Sequence, residues 1–384
     1  MNVMINDISE DLDTTVEGVQ IAITIFLLVM AALMIPGGKL TDRYGRKRCF
    51  IAGLVVYGIG AVLSAASPGL GLLIVGNSIL EGVGTALLIP PVYILTTLLF
   101  IALIVWLSRR VQDPLPADPA RPFDTGGAIL SAVGLILIVM GILAADNNGW
   151  LMVALIVAGA LVLAWFFRSV RFKERAGQEP LLPTALFRNY TSNLGLVTQN
   201  AQWLLLMGVS FVVSAYLQVV RGYDAIQTGV IFTAVTAGLL ASSLAAERLA
   251  KRRAQRTLIL AGFMITLVGI STLLAMVIGS PSVWAFAPGL LLIGLGLGLM
   301  LTPPVNVVQS SFGEELQGEI SGLSRSVSNL GSSLGTAIAS TILVAGITST
   351  PGRSYALAMI VLTAAGLVGL VASLFLPRAV APPK

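Results

Sequence analysis

The apolar residues of this chain fall in blocks of about 18–25 residues, and this block length constrains the fold more than any other feature. A helix of that length crosses the roughly 30 Å hydrocarbon layer of a lipid bilayer. Charged residues make up only 11% of the chain, too few to cover a soluble core with a polar surface. The sequence therefore predicts an all-α polytopic membrane protein embedded in a lipid bilayer.

Eleven apolar segments are long enough to cross the membrane, and the third is about twice the length that one crossing needs. Lys and Arg favour cytoplasmic loops and therefore orient the segments. With a single crossing by the third segment, the 23 Lys and Arg lie on the cytoplasmic side, except for Arg221, Arg325 and Arg353. Two crossings would move every later basic loop outside. We therefore predict one crossing, a cytoplasmic C-terminus and residence in the plasma membrane. The segments are 19–37, 49–67, 70–107, 125–144, 150–167, 194–219, 226–246, 257–278, 284–308, 320–346 and 355–376.

Several functional classes are excluded by the composition. The chain has no His and a single cysteine, Cys49, which excludes internal disulfides and any Cys-based or His-based metal site. The sequence contains no nucleotide-binding loop or catalytic triad, and no cytosolic segment is long enough for an ATPase domain. We therefore expect no enzyme activity, cofactor or metal. The net charge of +5 reflects basic loops at the membrane rather than nucleic-acid binding.

The segment Gly37–Arg48 (GGKLTDRYGRKR) concentrates charge between two apolar segments, and we expect it to form a loop. Gly38 allows close helix approach, Gly45 allows a turn, and Asp42 can cap a helix N-terminus. Four basic side chains can bind carboxylates or carbonyls: Arg43, Arg46, Lys47 and Arg48. An ordinary basic cytoplasmic loop is the alternative interpretation.

The spacing G-x-L-x-D-R-x-G-R-K resembles the signature loop of the major facilitator superfamily, which joins its second and third helices. Ala246–Arg256 (AERLAKRRAQR) resembles a degraded copy of this loop in a second half. The two helices inserted between the halves resemble the 14-span drug:proton antiporter branch. The resemblance implies three regions: an incomplete N-terminal bundle over 1–107, central loops with two extra helices over 108–192, and a C-terminal bundle over 193–384.

The resemblance implies fourteen spans, so three are missing from the eleven segments. Residues 2–8 look like the tail of a lost first helix. Phe100–Ile101 looks like a junction between the fourth and sixth helices, because the G-P-x-x-G-G string of the fifth helix does not occur. Near this junction we expect one abnormally long helix, a kinked pair or a jump in the backbone.

Glu81 is the only charged residue between Pro68 and Arg109, about 16 Å into its span by helical rise. An unpaired charge at that depth is unfavourable, so we expect Glu81 to be protonated, solvated by a cavity or paired. These properties make it a candidate proton-coupling residue; a neutral Glu hydrogen-bonded to a neighbouring helix is the alternative. Arg325 lies within a predicted span and is either a counter-ion or a side chain that extends to the cytoplasmic face.

The resemblance also implies that the first and fourth helices of each half line a substrate cavity. Gln199, Gln202 and Trp203 lie within one helical turn and should share a face. Interhelical hydrogen bonds are the alternative role for the polar members. The candidate cavity residues are Tyr93, Gln199, Asn200, Gln202, Trp203, Gln218 and Asn306.

Together these features predict a secondary active transporter that works as a monomer. We expect it to exchange protons for lipophilic or cationic small molecules by alternating access, with the signature loop stabilising one of two conformations. The alternative is a truncated, transport-inactive membrane protein or a membrane-embedded interaction partner.

Overall fold

The fold is built from helices throughout the part of the chain that the structure describes. The computed structural model describes residues 8–9, 11–44, 46–88, 124–144, 149–178, 180–250, 254–277, 282–313, 316–346 and 350–377. Helix α1 is Val16–Tyr44 and α2 is Arg46–Ala65. Helix α3 is continuous over Leu70–Leu73, Ile74–Glu81 and Gly82–Leu88, and its middle part is π-helical.

The later helices follow the predicted apolar segments closely. Helices α4 (Thr125–Leu143) and α5 (Gly149–Arg175) form a hairpin. A 3₁₀ turn at Thr184–Phe187 then leads into the C-terminal helices. These are α6 (Tyr190–Ala215, extended by a π-helical turn at Tyr216–Val220), α7 (Ala225–Ala250), α8 (Gln255–Val277), α9 (Phe286–Leu299), α10 (Pro303–Gln309), α11 (Gln317–Val344) and α12 (Pro351–Leu374).

Eight of the described helices are long and apolar enough to cross a membrane. Their outward faces carry large apolar side chains, such as Trp150 on α5 (86% exposed) and Ile226 on α7 (79% exposed). Such faces suit lipid, in which helices satisfy their own backbone hydrogen bonds. The predicted all-α membrane architecture is confirmed. The eight spans are Arg48–Ala65, Thr125–Leu143, Gly149–Arg175, Tyr190–Val220, Ile226–Ala246, Gln255–Met276, Phe286–Gln309 and Pro351–Leu374.

The segment predicted as a loop, Gly37–Arg48, is instead helical on both sides of residue 45. Helix α1 continues to Tyr44 and α2 begins at Arg46, so this expectation was wrong. Lys, Leu and Arg are good helix formers, so the helix continues beyond the end of the apolar stretch. The predicted junction at Phe100–Ile101 lies outside the described residues.

Two consecutive prolines divide the helical span Phe286–Gln309 into α9 and α10. Pro303 and Pro304 lack N–H groups, so the carbonyls of Leu299 and Met300 lose their usual helical donors. Helix α9 ends at Leu299, and both prolines occupy the first turn of α10, where a missing N–H is tolerated. The result is a break in the backbone ladder within a membrane-crossing segment.

Helix α11 lies between α1 and α6 and joins the two halves of the chain. Against α6 the approach is close: a Cβ atom on Gly331 would clash with the Asn200 carbonyl, and one on Gly335 with the Leu204 carbonyl. Small residues at these positions allow two membrane helices to pack backbone to backbone. The spacing Gly331-x-x-x-Gly335 is therefore a packing feature.

The inserted helix α4 lies against both halves. Leu28 of α1, Val139 of α4 and Ala337 of α11 are buried in one apolar cluster. Thr341 of α11 also approaches the Ile142 carbonyl of α4 at 3.5 Å. Helix α4 therefore covers the seam where α1 and α11 meet.

Asp124 fixes the first turn of α4 to α5 and to the segment that follows α5. Its carboxylate accepts from the Gly127 N–H at 2.7 Å, the Leu181 N–H at 3.1 Å and Lys173 Nζ at 2.5 Å. Burial alone would raise the pKa of Asp124, but the hydrogen bonds and the Lys173 charge outweigh it and lower the pKa. Asp124 is therefore ionised and acts as both a helix cap and an ion-pair partner.

A second carboxylate also binds the segment that follows α5. Glu174 accepts from the Thr184 N–H at 2.5 Å and from the Thr184 hydroxyl at 2.7 Å. Leu181 and Leu186 are fully buried in a cluster that also contains Val308 of α10. The end of the inserted hairpin is thus tied to the C-terminal helices by polar and apolar contacts together.

Candidate functional site

Glu81 lies at the end of the π-helical part of α3 and is 2% exposed. A π-helical turn bonds each N–H to the carbonyl five residues back, and such turns are frequent at functional sites. The Glu81 carbonyl accepts from the Thr85 hydroxyl at 2.6 Å, and Ser78 donates to the Ala22 carbonyl of α1 at 2.7 Å. These bonds hold the turn in place between α1 and α2.

The Glu81 carboxyl has polar neighbours but no cationic partner in the described part of the chain. Ser64 of α2 donates to Oε1 at 3.2 Å, and Asn77 of α3 donates to Oε2 at 3.3 Å. The Tyr57 phenol of α2 also lies within hydrogen-bonding reach. None of the Lys and Arg side chains that the structure describes forms an ion pair with Glu81.

Close packing of α2 on α3 keeps the carboxyl away from bulk solvent. A Cβ atom on Gly60 would lie 2.7 Å from the Gly76 carbonyl oxygen and 2.9 Å from Glu81 Cγ. A Cβ atom on Gly76 would in turn lie 2.8 Å from the Gly60 carbonyl oxygen. Because these neighbours are mostly backbone atoms, neither glycine can be enlarged without separating the helices. The site therefore requires glycine at both positions.

Arg325 forms no ion pair with Glu81 in this structure. Its side chain is exposed on α11, whereas Glu81 is enclosed between α2 and α3. Helix α1 packs against both α3 and α11 and lies between them. The structure therefore does not bring the two side chains together, because their helices do not pack extensively against each other.

The polar residues of α6 differ in their hydrogen-bond partners. Gln199 Nε2 lies 2.6 Å from the Ser328 hydroxyl, and Gln199 Oε1 accepts from the Ser324 hydroxyl at 2.9 Å. Asn200 donates to the Val327 carbonyl at 3.0 Å. These are the interhelical hydrogen bonds that the alternative interpretation predicted, and they hold α6 against α11.

Gln202 is buried at 1% exposure, and its amide has no hydrogen-bond partner among the described residues. Trp203, on the next position, is partly exposed. It is followed at helical spacing by Leu206, Met207 and Ser210, which are also partly exposed, whereas the residues between them are buried. This stripe of four residues (Trp203, Leu206, Met207 and Ser210) extends the predicted set; the sequence pattern alone did not identify its last three members.

The remaining predicted cavity residues are not members of the stripe. Gln218 is buried in the π-helical turn at the end of α6, and Asn306 is partly exposed on α10. Tyr93 lies outside the described residues. Of the signature segment, Arg48 is exposed; the structure does not describe the side chains of Gly38, Asp42, Arg43, Gly45, Arg46 and Lys47.

Sequence reasoning missed the groups that surround Glu81. Asn77 could have been found, because residues four apart on a helix share a face and few polar residues occur in this apolar run. Ser64 could not, because it contacts Glu81 only through the packing of α2 on α3.

Comparison with known proteins agrees with this architecture. The family model described as Major Facilitator Superfamily matches residues 1–102 and 123–336. The chain is 27% identical over 398 aligned positions to the puromycin resistance protein pur8 of Streptomyces alboniger, covering 89% of this chain and 77% of that protein. It is 25% identical to the tetracenomycin C resistance and export protein of Streptomyces glaucescens (86% and 70% covered) and 25% identical to the multidrug efflux pump LfrA of Mycolicibacterium smegmatis (84% and 73% covered).

The match also contains an internal interruption. The family model does not match the residues between 102 and 123. The alignment with pur8 is longer than the 384 residues of the chain, so pur8 contains residues that have no counterpart here. The match nevertheless includes the first three helices, the inserted hairpin and most of the C-terminal helices. The protein is a member of the Major Facilitator Superfamily, a family of membrane transporters.

Proposed function

We propose that this protein exports lipophilic or cationic small molecules in exchange for protons, by alternating access between two helical bundles. In this proposal the bundles comprise 1–107 and 193–384, with 108–192 as the connecting region. The protein acts as a monomer in the plasma membrane with its C-terminus in the cytoplasm, as the distribution of Lys and Arg favours.

The observation that carries the proposal is the environment of Glu81. Its carboxyl is enclosed between two apolar helices, lacks a described cationic partner and accepts hydrogen bonds from Ser64 and Asn77. Inside a membrane an unpaired carboxylate is unfavourable, so binding a proton relieves the charge. The hydrogen bonds from Ser64 and Asn77 stabilise the ionised carboxylate, so Glu81 can also release its proton. A group that can exist in both states is what proton exchange requires.

The stripe on α6 supports an apolar, adaptable substrate surface. Trp203 offers an aromatic face that can bind a cation or a planar ring. Leu206 and Met207 add flexible apolar surface, and Met in particular fits ligands of different shapes. The relatives named as resistance, export and efflux proteins support export of small molecules as the function.

Dye efflux tests this proposal. Cells that express the chain should lose preloaded ethidium, a lipophilic cation, faster than cells with an empty vector. Glu81→Gln keeps the size of the side chain and one accepting oxygen but cannot exchange a proton, so it should abolish the additional efflux. Equal efflux by the unchanged chain and by Glu81→Gln would refute the role of Glu81.

The interrupted family match supports a second candidate, a transport-inactive membrane protein or membrane-embedded partner. This candidate predicts ethidium efflux at the vector level, although the protein is present in the membrane. A variant carrying the corresponding block of pur8 between Phe100 and Ile101 separates the two candidates. Efflux only after this insertion would support the second candidate.

A further inference from the structure

Asn77 lies four residues before Glu81 on α3, and its amide contacts the Glu81 carboxyl directly. Its Nδ2 group donates to Oε2 at 3.3 Å. Its Oδ1 atom is buried and receives no hydrogen bond from the described residues. This amide orientation fits an ionised carboxylate, because a carboxylate only accepts hydrogen bonds.

The reverse orientation of the same amide fits a protonated carboxyl. An Asn amide has nearly the same shape after a half-turn about its last bond, which exchanges the oxygen and the NH₂ group. In that orientation Oδ1 faces Glu81 and can accept the O–H group of the neutral acid. Asn77 can therefore form a hydrogen bond with either protonation state without moving its backbone.

The other groups near the carboxyl are committed elsewhere or lie on another helix. The Ser64 hydroxyl lies 2.9 Å from the Gly60 carbonyl as well as 3.2 Å from Glu81, so its hydrogen is shared. From α1, the Ala22 carbonyl contacts this turn and accepts a hydrogen bond from Ser78 rather than from Glu81 or Asn77. Tyr57 of α2 is the titratable side chain that the described residues of α1, α2 and α3 bring to Glu81.

Building on the proposed proton exchange at Glu81, we propose that Asn77 is a positioning residue that reverses its amide each time Glu81 gains or loses a proton. It keeps the carboxyl in one place in both states and stabilises the ionised state more strongly. Hydrogen bonds to a charged acceptor are stronger than those between neutral groups.

Infrared titration of the full chain in lipid vesicles tests this role without requiring transport. Every protonated carboxyl contributes a C=O stretching band, and the part of this band that is lost in Glu81→Gln reports Glu81. The side chains that Asn77→Val and Asn77→Thr introduce have the same shape as each other, but only Thr has a hydroxyl that can donate or accept a hydrogen bond. In Asn77→Val the midpoint should move about one pH unit upward, and Asn77→Thr should recover at least half of that shift.

Val75→Thr is the matched control, because Val75 lies on the same helical segment with an exposed side chain, so the substitution adds a hydroxyl away from the packed site. It should leave the midpoint unchanged. Equal midpoints for Asn77→Val, Asn77→Thr and the unchanged chain would overturn the inference about Asn77 alone, as would an equal shift in Val75→Thr. A titration of Glu81→Gln that is identical to that of the unchanged chain would instead contradict the proposed proton site itself. Asn77→Ala repeats the comparison with a smaller side chain if the β-branched variants do not fold.

Discussion

Replacing Asp124 by Ala should open the segment after the inserted hairpin, because three hydrogen bonds end on this one carboxylate. Loss of the helix cap costs about 1 kcal/mol. The buried Leu181 N–H loses a charged acceptor, which costs about 1.5–3 kcal/mol. A quarter of the Lys173 side chain is exposed, so its ammonium group can be solvated when Asp124 is removed. Loss of the ion pair therefore lowers the stability by less than about 1 kcal/mol. The expected total is about 3 kcal/mol.

A free-energy change of about 3 kcal/mol raises the population of the open segment about a hundredfold. Thermolysin cleaves before large apolar residues, and Leu181 and Leu182 are buried until the segment opens. In detergent-purified protein, Asp124→Ala should therefore be cut at these residues about a hundredfold faster than the unchanged chain. Lys173→Met, which leaves both backbone hydrogen bonds intact, should cause less than a tenfold increase.

Arg171→Gln is the control for a charge change on the same helix, because Arg171 is exposed on α5. It should leave cleavage unchanged. Cleavage of Asp124→Ala at the rate of Arg171→Gln would refute the reasoning that Asp124 holds this segment.

The pH dependence of this anchor follows from the lowered pKa of Asp124. A carboxyl whose pKa is lower in the folded than in the unfolded state adds stability above its unfolded pKa, near 3.9, and loses it as the pH falls through the folded pKa. Protection from cleavage should therefore decline only below about pH 4. An acid-active protease such as pepsin measures it, and Asp124→Ala should lack this dependence.

Three further substitutions test the packing and the substrate surface. Gly60→Ala should lower the free energy of unfolding by about 1–3 kcal/mol in thermal unfolding, because its Cβ would meet backbone atoms. Gly58→Ala, whose Cβ would lie in open space, should not lower the stability. Equal changes in stability for the two variants would contradict the packing of α2 on α3. Gln199→Leu should lower the stability by about 0.6–2 kcal/mol through loss of its bonds to α11, and an unchanged unfolding midpoint would argue against them. Trp203→Ala should raise the KM for ethidium efflux while leaving the protein folded, and an unchanged KM would exclude Trp203 from the substrate surface.

The helices were predictable because the length of each apolar block can be counted in the sequence. Each predicted segment overlaps a described helix, except that 284–308 is divided into α9 and α10 and the third segment is described only as far as Leu88. The helix ends were less predictable: α1 continues through the charged residues up to Tyr44, because helix formation does not require apolar side chains.

The candidate site was only partly predictable, for a physical reason. A lone Glu in an apolar run identified Glu81, but its partner Ser64 lies 17 residues away on another helix. Similarly, Asp124 and Lys173 are 49 residues apart. Such pairs depend on which helix faces pack together, which one sequence without three-dimensional information does not specify. For the same reason the sequence could not indicate that Arg325 and Glu81 lie on helices without extensive contact with each other.

Proton movement coupled to substrate is the most direct test of the central claim. Protein reconstituted in vesicles with an acidic interior should take up ethidium from the medium and release protons as it does so. A pH-sensitive dye inside the vesicles measures the proton release. We predict ethidium-dependent alkalinisation of the interior with the unchanged chain, and none with Glu81→Gln or with protein-free vesicles. Equal alkalinisation with Glu81→Gln, or ethidium uptake that is unaffected when the pH gradient is removed, would contradict proton exchange at Glu81.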